Sequence, residues 1–229
     1  MKDSELHNSQ EEQNDGPPLT PWRAAWFEKA RDGGIGWAPW SARFWRGMVV
    51  AFCVASILGH WMEIPYCLFN RWAFGIVEDD SLVFTHPMYP FLVYGIAAVL
   101  CSLFLVPQRD WLIDHYKPRW RALIRFFLMC MLGSCAGELI MGLLLNQPDP
   151  VTGVYPLWDN SQLPGNVLGQ AWLVNDFLLG AILTLYVWVI YPIIVKAVTS
   201  VPEKYGWPIT IIIAVSFTIL CIVEFSSQV

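Results

Sequence analysis

Five long apolar stretches separated by polar gaps organise this 229-residue chain. They run over Phe44–Tyr66, Pro87–Val106, Arg121–Leu145, Ala171–Ala197 and Gly206–Phe225. Each is close to the ~20 residues a helix needs to cross a ~30 Å hydrocarbon core. The pattern therefore predicts an all-α fold, a polytopic transmembrane helical bundle of five spans. The cations orient it. Lys2, Arg23, Lys29, Arg31, Arg43 and Arg46 lie at or before the start of the first stretch. Arg109, Lys117, Arg119, Arg121 and Arg125 cluster between the second and third, and Lys196 and Lys204 lie between the fourth and fifth. The other two gaps hold only Arg71. Cytoplasmic loops retain Lys and Arg, which places the N-terminus inside and the C-terminus outside.

Composition sharpens this in two respects. The chain is 55% hydrophobic and 14% charged, and its length accommodates one bundle and no second folded domain. The net charge of −5 sums an acidic tail, a basic inner face and an acidic outer face, so it marks no single partner. No basic stripe or recognition motif supports nucleic-acid binding. The expected organisation is a disordered cytoplasmic tail over 1–19, a Trp/Arg-rich interfacial segment over 20–43 that meets membrane lipid, and a five-helix transmembrane domain over 44–229. In the interfacial segment, Trp22, Trp26, Trp37 and Trp40 alternate with Arg23, Lys29 and Arg31, which suits a helix lying among headgroups. The six cysteines form no CxxC pair, and five of them sit inside the spans as small apolar packing residues.

Ionisable side chains inside hydrocarbon are costly and usually face a bundle interior or a wet cavity. Here they are His60 and Glu63 in the first span, Glu138 in the third and Asp176 in the fourth. At 1.5 Å per residue, His60 lies about 6 Å, Glu63 about 10 Å, Glu138 about 7 Å and Asp176 about 10 Å outward of their span centres. Three helices thus bring acidic groups to one depth. His60 and Glu63 share a helix face at i, i+3 and are placed to hydrogen-bond. Gly133 and Gly137 precede Glu138 with GxxxG spacing, which predicts a close helix approach at that point. Asn175 adjoins Asp176 with an amide to offer.

The outer loops add polar residues. Asn70 and Arg71 follow Glu63, and Glu78, Asp79 and Asp80 come next. The loop over 146–170 carries four prolines and the run Trp158, Asp159, Asn160, Ser161, then Asn166, Gly169 and Gln170. A loop that long reads as functional or disordered, and this one resembles a folded lid.

The order Glu63, Asn70-Arg71, Pro87-Met88-Tyr89-Pro90 with Tyr94-Gly95, Glu138, Trp158-Asp159-Asn160-Ser161 and Asn166 to Gly169 resembles the small bacterial membrane proteins grouped as ABC-transporter type IV permeases. The motifs cover about residues 55–195. Trp72 and Asn160 depart from the family's glycine and tyrosine. The resemblance implies a membrane transport component of a bacterial cytoplasmic membrane.

No GxxxxGK[ST] is present to cradle nucleotide phosphates, so ATP would need a separate ATPase subunit docked on the inner face, over Gln108–Arg125 or the Trp-rich segment. Five spans are few for a self-sufficient transporter, so a homo-oligomer or a membrane partner is expected. No cofactor is indicated. The leading expectation is a permease-type or substrate-capture subunit. Its outer acidic pocket, drawn from His60, Glu63, Asn70, Arg71, Glu138, Trp158, Asp159, Asn166, Asn175 and Asp176, would take a cation or cationic solute. The alternatives are an accessory protein, whose carboxylates bond Arg71, Asn166 and Gln170 to hold the loops, and a metal-dependent intramembrane enzyme. The second alternative would use His60 with the three carboxylates as ligands, although no HExxH or Gly-x-Ser-x-Gly is present.

Overall fold

Helix α1, Ala42–Phe74, opens on Ser41, whose Oγ accepts the Phe44 N–H at 3.1 Å, and closes on Gly75. The left-handed φ of Gly75 (70°) lets its N–H reach back to the Arg71 carbonyl at 3.1 Å. These features come from a computed structural model that describes residues 38–75, 81–153 and 155–227. The tail and most of the interfacial segment, with Glu78 to Asp80, lie outside the described residues. A short helix, α2 (Ser81–Thr85), leads to α3 (Leu92–His115), α4 (Arg119–Leu145), α5 (Leu173–Leu185), a π-helical turn (Tyr186–Ile190), α6 (Tyr191–Ser200) and α7 (Glu203–Ser226). Among the described residues, five helical units are long and apolar enough to cross a membrane, with α5 to α6 counting as one.

Three boundaries differ from those expected. Helix α1 passes through Pro65 and continues to Phe74, so Asn70 and Arg71 stand on a helix and not in a loop. At 33 residues it is about 50 Å long and overshoots a ~30 Å core. Helix α3 likewise runs through Pro107 to His115, so most of the expected inner loop Gln108–Arg125 is helical. In both cases the proline removes one backbone hydrogen bond without ending the helix. The fourth span begins at Leu173, because Ala171–Trp172 pairs antiparallel with Asn166–Val167 in a two-residue ladder.

Helix α1 is central, packing on α3, α6 and α7, while α5 packs most extensively on α4. The main apolar core includes Phe44, Met48, Val106, Leu112, Phe126, Val187 and Tyr191, towards the end of the bundle where the cations gather. Two arginines are buried there. Arg46 is fully buried and pairs with Glu203 at 3.1 Å, joining the starts of α1 and α7. Arg109 is 5% exposed and donates to the Val187 carbonyl at 2.7 Å. The π turn explains that bond. The Tyr191 N–H goes to Tyr186 instead of Val187, and the next residue that could serve Val187 is Pro192, which has no N–H. Arg109 supplies the missing donor.

At the opposite end the 146–170 loop is folded by its amides. The Asn146 side chain is fully buried. It donates to the Trp158 carbonyl (2.7 Å) and Gln170 Oε1 (3.0 Å), and it accepts the Leu157 N–H (2.9 Å). Gln170 Nε2 returns a bond to the Asn146 carbonyl at 3.0 Å. Trp158 Nε1 and Asn160 Nδ2 both donate to the Gln170 carbonyl. Gly142 makes room for this knot, since a Cβ there would run into the Gln170 side chain.

Candidate functional site

Beneath that loop, three spans meet through polar side chains. The Tyr66 hydroxyl on α1 donates to Asn175 Oδ1 on α5 at 3.0 Å, and the Asn175 amide donates to Glu138 Oε1 on α4. Asn175 therefore bridges a phenol and a carboxylate from two other helices. The Trp172 backbone N–H also faces the Glu138 carboxylate. Glu138 thus sits at the amino end of α5, where unsatisfied N–H groups and the helix dipole favour an anion. On α1, Glu63 accepts a hydrogen bond from the Tyr94 hydroxyl of α3. Close packing lets Tyr94 cross, because Gly59 has no Cβ to meet its ring.

Asp176 differs from the others. It is fully buried, and neither carboxylate oxygen has a hydrogen-bond partner. The adjoining groups are the Cys135 thiol, a weak donor, and the Glu138 carboxylate, near enough to repel it as an anion. Among the described residues no Lys, Arg or His forms an ion pair with Glu138 or Asp176. Helix α5 approaches α4 closely here, since a Cβ on Gly180 would come within 3.1 Å of the Met131 backbone.

The other candidates separate. His60 is fully buried against the Phe91 ring, 4.9 Å between centroids, and both its nitrogens lack partners, so the expected bond to Glu63 is not formed. Its ring is held in the packing between α1 and the segment entering α3. Asn70 is buried with its Oδ1 unpartnered, while Arg71 is exposed and makes no ion pair with the membrane carboxylates. Trp158, Asp159 and Asn166 shape the loop. Asp159 accepts the Ser161 N–H at 2.8 Å, and Asn166 bonds the Leu163 carbonyl and the Gly169 N–H. The accessory arrangement, with carboxylates bonded to Arg71, Asn166 and Gln170, is likewise not found, because the Asn166 and Gln170 amides donate to the Leu163 and Asn146 carbonyls. Gly133 and Gly137 face outward with nothing within 4 Å, so the expected helix approach there is not made; α5 meets α4 closely through Gly180 at Met131, and Gly142 meets the Gln170 side chain of the loop.

A metal held by His60 together with the carboxylates is not supported. Among the described residues no group of three or more His, Cys, Asp and Glu could hold a metal ion. Tyr66, Tyr94 and Cys135 were not among the candidates, although Tyr66 lies three residues from Glu63 and Cys135 three from Glu138, both on shared helix faces.

Five apolar helices and a polar cluster shared among them define a multi-pass membrane protein. The sequence profile of the family described as Putative ABC-transporter type IV matches residues 50–225, and the chain belongs to that family. It is a transport-related membrane protein. The match extends through the last span, which the shorter motifs had left out. No curated protein and no solved structure shows a significant match.

Proposed function

We propose that this chain is the permease-type or substrate-capture subunit of a bacterial cytoplasmic-membrane transporter, with its N-terminus inside and an acidic site opening outward for a cation or cationic solute. The observation that carries the reading is Asp176, wholly buried, with both oxygens unpartnered and a second carboxylate beside it. An uncompensated carboxylate costs several kcal/mol in such a setting. A positive group is what that geometry lacks. Energy comes from a separate ATPase subunit at the cation-rich end, where Trp111 and Trp120 are exposed.

The test is cation binding to the purified full chain, with Glu138→Gln and Asp176→Asn as variants. Loss of binding with unchanged thermal unfolding supports the site. A second reading has its own observation: Glu138 caps α5, and both polar atoms of Asn175 are used in bonds between helices. On that reading Glu138→Gln lowers stability and leaves binding per folded molecule unchanged, which would sink the acidic-site proposal.

A further inference from the structure

A cavity of about 140 Å³ lies below the acidic cluster, and its walls are almost wholly apolar. Leu58 and Met62 of α1, Tyr94 and Ala97 of α3, and Leu179 and Leu183 of α5 line it. These walls lead in register to the cluster. Met62 and Tyr66 are one turn apart on α1, and Leu179 is one turn from both Asn175 and Asp176 on α5. The Tyr94 ring is a wall of the cavity while its hydroxyl bonds Glu63. Val54 and Leu185, also in the lining, are 38% and 50% exposed, so the cavity opens sideways onto the hydrocarbon. On α5 the apolar lining therefore ends at Leu179, one turn from the unpaired carboxylate of Asp176, which does not itself line the cavity.

We infer that the ligand is an amphipathic ammonium ion, whose primary ammonium group sits at Asp176 and Glu138 and whose apolar group fills the cavity. This rests on the cation reading of the same site and names the solute class. Three N–H donors on a primary ammonium can satisfy the two bare oxygens of Asp176 and still reach Glu138. The volume suits one ring, since an apolar cavity of ~150 Å³ holds benzene. The lateral opening suits a solute that first partitions into the bilayer. A lipid chain would fit the walls equally well but leaves the carboxylates without a counter-charge.

The experiment is calorimetric titration of the full chain in detergent with benzylammonium, methylammonium and benzyl alcohol. Benzylammonium is expected to bind at least about tenfold tighter than methylammonium, from burial of the ring. Benzyl alcohol should bind weakly, and Asp176→Asn should remove the difference between them. Ala97→Leu, which fills the cavity from α3, should cancel the advantage of the ring and spare methylammonium. Equal binding of benzylammonium and methylammonium would overturn the inference and leave the acidic site standing. Benzyl alcohol binding as well as benzylammonium would make this a lipid groove and overturn it. If no cation binds, the acidic-site proposal falls with it. The ligand series on the unaltered protein decides the matter even should a variant fail to fold.

Discussion

The two ends of the bundle bury charge in opposite ways. At the cation-rich end, Arg46 meets Glu203 and Arg109 meets the Val187 carbonyl and Asp110, with the main apolar core around them. At the other end, Asp176 is as deeply buried as Arg46, but among the described residues no cation answers its charge. A protein that could place Arg109 on an orphaned carbonyl was not short of means to pair an aspartate. Where burial is compensated, the side chain belongs to the architecture. Where it is not, as at Asp176, the burial is what the proposed cation site would answer.

The largest test of that contrast is Arg109→Ala. It strips the donor from the Val187 carbonyl at a π turn that offers no replacement, and it should cost about 3 kcal/mol of unfolding free energy. Thermal or denaturant unfolding in detergent reads it, and Arg109→Lys should recover part of the loss through one donor. An unchanged unfolding midpoint for Arg109→Ala would mean the turn satisfies itself, and the cation-rich end would lose its structural explanation.

Asn146→Ala comes next. It removes two donated bonds and the acceptor for the Leu157 N–H, so a loss of about 2 kcal/mol is expected, concentrated in the loop. Limited proteolysis between 147 and 165 should quicken well before the spans unfold. Equal protease resistance would show that Gln170 and Asn160 hold the loop alone.

Much of this was legible in the sequence, and what was not has specific causes. Apolar length gave the number of spans because hydrocarbon thickness imposes it. Rise per residue set Glu138 and Asp176 at a similar level on their helices, and the two carboxylates are near enough to repel each other. Helix ends were misplaced beyond Pro65 and Pro107, because each helix runs through its proline; at Pro107 the residue is buried in the packing, and at Pro65 it is exposed. The glycines that matter could not be ranked by spacing. Gly133 and Gly137 have the familiar interval yet face outward, while Gly142 and Gly180 make the contacts, because rotation about the helix axis is set by partners the pattern does not encode. The Asn175 amide does reach a carboxylate, as its place beside Asp176 suggested, but its bond to Tyr66 was hidden for the same reason, and His60 shares a face with Glu63 yet packs against Phe91.

Asp176→Asn sharpens the comparison by its sign. Removing an uncompensated carboxylate should leave unfolding within about 1 kcal/mol of the parent or raise it, the reverse of Arg109→Ala. Cation binding should fall at the same time. A loss of stability comparable to that of Arg109→Ala would show that Asp176 has a partner in the folded protein, and the contrast between the two ends would fail.

The smallest effect belongs to a carboxylate that does have partners. Asp149 is exposed in the loop, and its Oδ1 accepts the N–H groups of Thr152 at 2.7 Å and Val151 at 2.9 Å and the Thr152 hydroxyl at 3.1 Å. Those donors, with the Thr152 N–H foremost, hold its carboxyl below the usual aspartate range. A depressed value in the folded state means the turn is fully supported above the ordinary aspartate pKa. That support drains away as pH falls through the lowered one. The Thr152 amide resonance should therefore titrate below the range of a free aspartate, and Asp149→Asn should abolish the transition. Global unfolding should be unaffected, because water competes for every one of these bonds. A titration at the ordinary value would show that the Thr152 and Val151 bonds do not persist in solution. If it is depressed, Asp149 supplies the internal reference for Asp176, an aspartate with three N–H and O–H donors against one beside a single weak thiol donor.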